Sequence, residues 1–208
     1  MDTVMSEAVP YTLSFTSGSL LMSEASVVIP IYLRHRDWSQ TRDEVENRNL
    51  LQSRTRASSH RRVREIAQRL AMLTSDELEF MASSSSAERA HMLWAAACRR
   101  YALIGEFAEE VLRERFLLLS ETLTYDDFDA FLLTKAIWHE EIVQLTDSTT
   151  RKLRSNVFRM LVEAGLLGAD GRIIPALLSE RVAFFLDARS PSDIRFFPVR
   201  RVASGSRA

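Results

Sequence analysis

Residues that turn a chain are scarce here: six glycines and five prolines among 208 residues. A turn-dense all-β chain, a collagen-like repeat or a flexible linker needs many more. The chain must therefore run in long regular segments, and its periodicity marks them as helices. Apolar residues make up 46% and charged residues 26%. These globular proportions provide for one core and exclude a disordered polymer.

Helix signals follow one another along the chain. Thr16 to Ser19 reads as a loop and cap before the apolar run Leu20 to Leu33, which carries Pro30 near its end. A helix is expected from Trp38 to Asn49. Another is capped by Ser58-Ser59 and runs to Leu73, with Val63, Ile66, Ala67, Leu70 and Leu73 at three- and four-residue spacing. Thr74 or Ser75 caps a short helix, and Ser83 to Ser86 ends in a cap for a long helical region from Ala87 to Leu119, which Gly105 is expected to break. Thr124 caps a helix reaching about Glu140. Asp147 or Ser148 caps a helix to Ala164, with Gly165 as its C-terminal stop. Asp170-Gly171 then predicts a tight hairpin of Leu166-Leu167 against Arg172-Ile173-Ile174, and Ala176 to Ala188 a last helix. The tail from Ser204 reads as mobile.

Several familiar chemistries lack their residues. His139-Glu140-Glu141 begins like a zinc-protease helix, but Val143 stands where the second histidine belongs. Asp126, Asp127 and Asp129 have neither the spacing nor the glycine of a calcium loop, and suit the first turn of a helix. Cys98, the single cysteine, lies in a small-residue helical stretch and reads as structural. No phosphate-cradling glycine loop, dinucleotide fingerprint or nucleophile elbow occurs. No cofactor, metal or enzymatic activity is expected. The acidic N-terminus is unlike a signal peptide, and Leu20 to Leu33 is too short to span a bilayer. A cytoplasmic protein with no membrane contact is expected.

The net charge of −1 conceals a strong sorting of charge. Residues 34–69 carry ten arginines against five acids, residues 70–147 six bases against fifteen acids, and residues 148–208 eleven bases against five acids. Codon bias does not sort charge along a chain. In the helix from Ser148, one stripe holds Ser148, Arg151, Lys152, Ser155 and Arg159, with Arg154 at its edge. The opposite stripe holds Leu153, Val157, Met160, Leu161 and Ala164. A preceding helix, a turn at Leu145 to Asp147, this cationic helix and then a hairpin is the order of a winged helix, whose second helix enters the DNA major groove. Ser148, Thr149, Arg151, Lys152, Arg154 and Arg159 are candidate DNA contacts, with Arg172 on the wing. A second acid-free stretch, residues 48–64, offers Arg54, Arg56, Arg61, Arg62 and Arg64 to phosphates beside a helix N-terminus. Two alternatives stand beside this: solvated faces, or faces that pair with the acidic middle of the same chain.

Four segments also carry a family resemblance: Tyr11 to Leu20 with Glu24; Asn49 to Leu70, including Arg61-Arg62 and Glu65-Ile66; Tyr101 to Leu112; and Leu145 to Arg154 leading to Met160 to Leu166. In order and spacing they resemble the BrxA family, encoded with BREX phage-defence systems. The resemblance spans about residues 11–187. It implies an all-helical fold, similar to NusB in its helical part, and double-stranded DNA binding without known catalysis. It further implies work beside other BREX components, which include a methyltransferase, a phosphatase-like protein and large ATPases. Older labels imply an inner-membrane protein, from which this sequence departs.

The expected architecture is all-α: a compact multi-helix, NusB-like region over residues 1–140, a winged-helix-like lobe with one short β-hairpin over 141–190, and a tail over 191–208. The expected function is duplex DNA binding, mainly through phosphates and with low sequence selectivity. The alternative is a protein–protein adaptor that docks other defence subunits through its acidic middle.

Overall fold

A computed structural model describes residues 9–15 and 18–200. Its helices are α1 (Met22–His35), α2 (Trp38–Asn47), α3 (Arg56–Leu70), α4 (Ser75–Ser83), α5 (Ser86–Arg100), α6 (Ala102–Phe107), α7 (Glu114–Leu117), α8 (Tyr125–Lys135), α9 (Glu140–Val143), α10 (Asp147–Glu163) and α11 (Glu180–Asp187). A π-helical turn, Ala108–Arg113, joins α6 to α7, and a 3₁₀ turn, Asp193–Phe196, follows α11. The all-helical expectation holds, and no strand occurs among the described residues. The expected loop at Thr16-Ser17 and the tail from Ser204 lie outside those residues.

Helix α5 is the hub. Met92, Leu93, Trp94, Ala95, Ala96 and Ala97 are all fully buried, so the helix is apolar all round, as a helix enclosed by others must be. It packs against α1, α3, α4, α6, α10, α11 and the 3₁₀ turn. Its three consecutive alanines let neighbouring backbones come close. The Trp94 indole N–H donates to the Phe196 carbonyl at 3.0 Å, which fastens the C-terminal segment onto the hub.

Several boundaries differ from expectation. The long helix breaks at Tyr101, whose backbone turns extended (φ −121°, ψ 98°), and not at Gly105. The buried Tyr101 hydroxyl donates to Glu65 Oε1 at 2.6 Å and its ring meets Phe15 edge-on, so a tertiary anchor outweighs local propensity. Gly105 stays inside α6, where a Cβ would stand 3.2 Å from the Phe196 ring. Thr55, not Ser58-Ser59, caps α3, through a reciprocal box with Ser58. Thr146 caps α10 by accepting from the Thr149 N–H at 3.3 Å. Helix α8 stops at Lys135, short of Glu140, and α11 starts at Glu180, with Ser179 as its cap. Gly165 ends α10 at φ +70°, a left-handed conformation suited to glycine.

The predicted β-hairpin is corrected to two isolated antiparallel bridges, Leu167 with Ile173 and Thr122 with Arg172. The tight turn does form: the Gly168 N–H donates to the Arg172 carbonyl at 2.8 Å, and Gly171 adopts φ +82°. The Ile174 N–H donates back to the Leu166 carbonyl at 3.0 Å, and the outer groups of residues 171–173 bond a third segment. The Leu123 N–H donates to the Gly171 carbonyl at 2.9 Å, and the Ile173 N–H to the Glu121 carbonyl at 2.8 Å.

Candidate nucleic-acid interface

The predicted division of α10 into two stripes is present. Leu153, Val157, Met160, Leu161 and Ala164 are buried, while Ser148, Arg151, Lys152, Ser155 and Arg159 are exposed. Arg151 makes one hydrogen bond, to the Asp147 carbonyl at 3.3 Å. Arg151, Lys152 and Arg159 have no acidic partner within 4 Å among the described residues. Before them, Thr146, Ser148 and Thr149 gather their hydroxyls at the helix start, 2.9–3.0 Å apart. Asp147 sits among them, so the helix start itself is not purely cationic.

Arg154 behaves differently. Its guanidinium is drawn inward to an ion pair with Asp129 of α8 and lies 4.5 Å from the Tyr125 ring centroid. It ties α10 to α8 and is already spent in the free protein. This is one place where the acidic middle of the chain does take up a basic residue. Arg172 projects from the tight turn, 67% exposed and 4.0 Å from the equally open Asp170.

The second basic stretch divides in the same way. Arg54, Arg56, Arg61 and Arg64 are exposed around the start of α3, with no acid in its first turn and no ion pair among the described residues. Arg62 instead pairs with the buried Glu24 of α1 and reaches the Leu51 carbonyl and Ser53 Oγ. Two further arginines serve the core. Arg69, fully buried, donates to Glu65 Oε1 at 2.8 Å and to the Ser19 carbonyl at 2.7 Å. Arg99 bridges Glu77 at 2.7 Å and Asp193 at 2.6 Å. Burial disfavours the Arg99 charge, but Glu77 and Asp193 more than offset that and hold its pKa up.

The two exposed cation sets lie on different helices. Helices α3 and α10 meet near their C-terminal ends, where Arg69 Nη1 is 3.7 Å from Met160 Sδ. Arg56 lies about 20 Å along α3 from that meeting point, at ~1.5 Å per residue. The two sets thus lie on two helices that converge near Arg69 and Met160.

The remaining candidates are structural. His139 stacks on Tyr11 with centroids 3.9 Å apart and contacts Glu141 at 3.0 Å. Asp127 takes part in the N-terminal box of α8 and pairs with Arg115. Cys98 is buried, and burial pushes its thiol pKa far up. Among the described residues no three His, Cys, Asp or Glu side chains gather as a metal site, and no helix is long and apolar enough to cross a membrane.

Sequence patterning missed a set of exposed apolar side chains. Leu133, Ile137, Trp138 and Val143 are each 67–73% exposed across the end of α8, the following turn and α9. Leu133 and Ile137, four residues apart, carried the only signal.

Comparison with known proteins agrees with this architecture. A crystal structure of an uncharacterized protein from Magnetospirillum magneticum superposes with a TM-score of 0.75 at 24% identity, covering 90% of this chain and 97% of that one. A BREX protein BrxA from Paramagnetospirillum magneticum is 26% identical over 157 residues, 76% of this chain and 79% of its own. A BREX protein BrxA from Escherichia coli O9:H4 is 23% identical over 155 residues, 74% of this chain and 73% of its own. The sequence model of the BrxA family matches residues 9–190, and the chain belongs to that family.

Proposed function

We propose that this protein is a non-enzymatic, duplex-DNA-binding component of a BREX phage-defence system, acting in the cytoplasm beside other BREX proteins. The observation that carries the proposal is the set of seven exposed cations without an acidic partner among the described residues: Arg151, Lys152 and Arg159 on α10, and Arg54, Arg56, Arg61 and Arg64 at the start of α3. Arginines held apart from a chain's own acids are free to replace the counterions of a phosphate backbone. Helix α9, the turn at 144–146, α10 and the tight turn bearing Arg172 follow winged-helix order. In that arrangement α10 lies along the major groove and Arg172 reaches the backbone. Ser148 and Thr149 add neutral donors to phosphate. Arg154 and Arg62 join the contact only by leaving Asp129 and Glu24, so they contribute less than their neighbours. The larger helical region, NusB-like by family resemblance, carries the second phosphate surface.

A salt-titrated binding assay on the pure protein, with a random duplex and a matched single strand, tests this proposal. Duplex binding is expected, with log affinity falling against log salt at about −0.9 per neutralised phosphate. Charge reversal at Arg151 and Arg61 should weaken binding together more than either alone. Absence of duplex binding at ~50 mM salt, where the electrostatic attraction is strong, would overturn it.

The exposed Leu133, Ile137, Trp138 and Val143, in a stretch that also carries Glu140 and Glu141, favour a second reading: an adaptor that docks another defence subunit through the acidic middle of the chain. Trp138→Glu would then abolish partner retention and leave duplex binding intact.

A further inference from the structure

A cleft of about 1170 Å³ opens on the side of the molecule formed by the π-helical turn, α7, α11 and the C-terminal segment. It is larger than a surface dimple and within reach of the volume that small organic ligands occupy. Its walls are fixed from behind. Arg99 holds Asp193 and Trp94 holds the Phe196 carbonyl, so the 3₁₀ turn behind the cleft is anchored to the core.

The lining has three kinds of group. Arg113, at the end of the π-helical turn, meets among the described residues only Glu114, at 3.7 Å, and its Nε is buried without a hydrogen-bond partner among them. A buried guanidinium N–H left open is costly, and π-helical turns recur where function offsets their poorer hydrogen bonding. Arg200, also in the lining, lies 6.0 Å from the centroid of Phe116, so the same cleft holds two guanidinium groups and an aromatic ring. The cleft's acid on the π-helical turn, Glu109, is neutralised by Arg195 at 3.0 Å. Asp187, at the end of α11, lines the cleft, is exposed and has no ion-pair partner among the described residues. Guanidinium groups for an anion, a ring for a flat base and a carboxylate to accept from hydroxyls are complementary to one ligand chemistry.

We propose that the cleft between the π-helical turn and the C-terminal segment binds a free nucleoside monophosphate, with Arg113 and Arg200 on the phosphate, Phe116 against the base and Asp187 on the sugar hydroxyls. None of these residues belongs to either DNA surface, so the site is independent of the DNA proposal.

Equilibrium titration of the full chain with adenosine monophosphate, adenosine and inorganic phosphate tests it. One monophosphate per chain should bind, with the separate halves at least tenfold weaker. Arg113→Gln should weaken the monophosphate at least tenfold, Arg113→Lys should restore part of the loss, and Phe116→Ala should weaken adenosine as well. Arg151→Glu should change nothing, while duplex affinity should survive Arg113→Gln. Thermal unfolding of each variant verifies that it remains folded. No binding at millimolar nucleotide, binding insensitive to Arg113→Gln, or binding removed by Arg151→Glu would each overturn the proposal.

Discussion

Arginine supplies 25 of the 27 basic side chains, and neighbours decide what each one does. Arg69 is a core residue: its guanidinium is enclosed by Glu65, the Ser19 carbonyl and the Tyr101 ring at 5.8 Å. Removing one partner of such a pair leaves the other buried and uncompensated. Arg69→Ala should therefore lower the unfolding free energy by about 3–5 kcal/mol, measured by urea denaturation. A loss below 1 kcal/mol would mean that Glu65 finds water or another donor. Arg151, nine residues before Met160 on α10, hydrogen-bonds among the described residues only a carbonyl of its own helix and is exposed. Helical spacing marks Arg151 as lying on a cationic stripe, but nothing in the sequence says that Arg69 is enclosed by Glu65, Ser19 and Tyr101.

At the scale of an element, α10 shows what amphipathic spacing predicts and where it stops. The apolar stripe and the cationic stripe both follow from the helical period. That Arg154, at the edge of the cationic stripe, turns to Asp129 does not, since it depends on how α8 lies against α10. Arg151→Ala with Lys152→Ala should reduce duplex affinity several-fold and lessen the salt slope by about 0.9 per residue that contacts phosphate. Arg154→Ala should leave that slope nearly unchanged while costing about 1–2 kcal/mol of stability, the worth of a charged hydrogen bond. Equal slope changes in both variants would show that Arg154 exchanges Asp129 for phosphate on binding. The tight turn at 168–171 carries a parallel lesson. Asp170-Gly171 correctly marks the turn, across which the Ile174 N–H donates to the Leu166 carbonyl, but no local signal predicts that residues 121–123, distant in sequence, bond its outer edge.

For the whole molecule, buried titratable groups set the response to pH. Burial holds the His91 imidazole below its ordinary 6.5. The unfolded chain takes up that proton first as pH falls, so stability is full above about 6.5 and declines below it. Burial raises the Glu77 carboxyl, but Arg99 and the Thr74 backbone N–H outweigh that and bring it below 4.5. A second decline therefore begins near pH 4.5, as the unfolded carboxyl protonates before the native one. Urea midpoints measured from pH 8 to 3.5 should show both steps, and His91→Gln should remove the upper one. A flat midpoint between pH 7 and 5 would contradict a neutral His91.

The sequence by itself determined the helical class, most of the helix starts, and the existence of two acid-free basic stretches. These are local properties, written in period, capping residues and charge order over a few turns. The four ordered segments carried the family as well. Only the tertiary structure decided which arginines are free and which are spent: Asp129, Glu24 and Glu77 lie on other helices than the arginines they hold, and Glu65, on the same helix as Arg69, is buried together with it only by packing. It also decided that the helix breaks at Tyr101, that the hairpin stays two bridges, and that Trp138 faces outward. The cleft beside Arg113 belongs to the same group, because it is formed by residues some 80 positions apart, near 113 and near 195. Contacts between distant segments are set by how helices pack, and no periodicity within one segment encodes them.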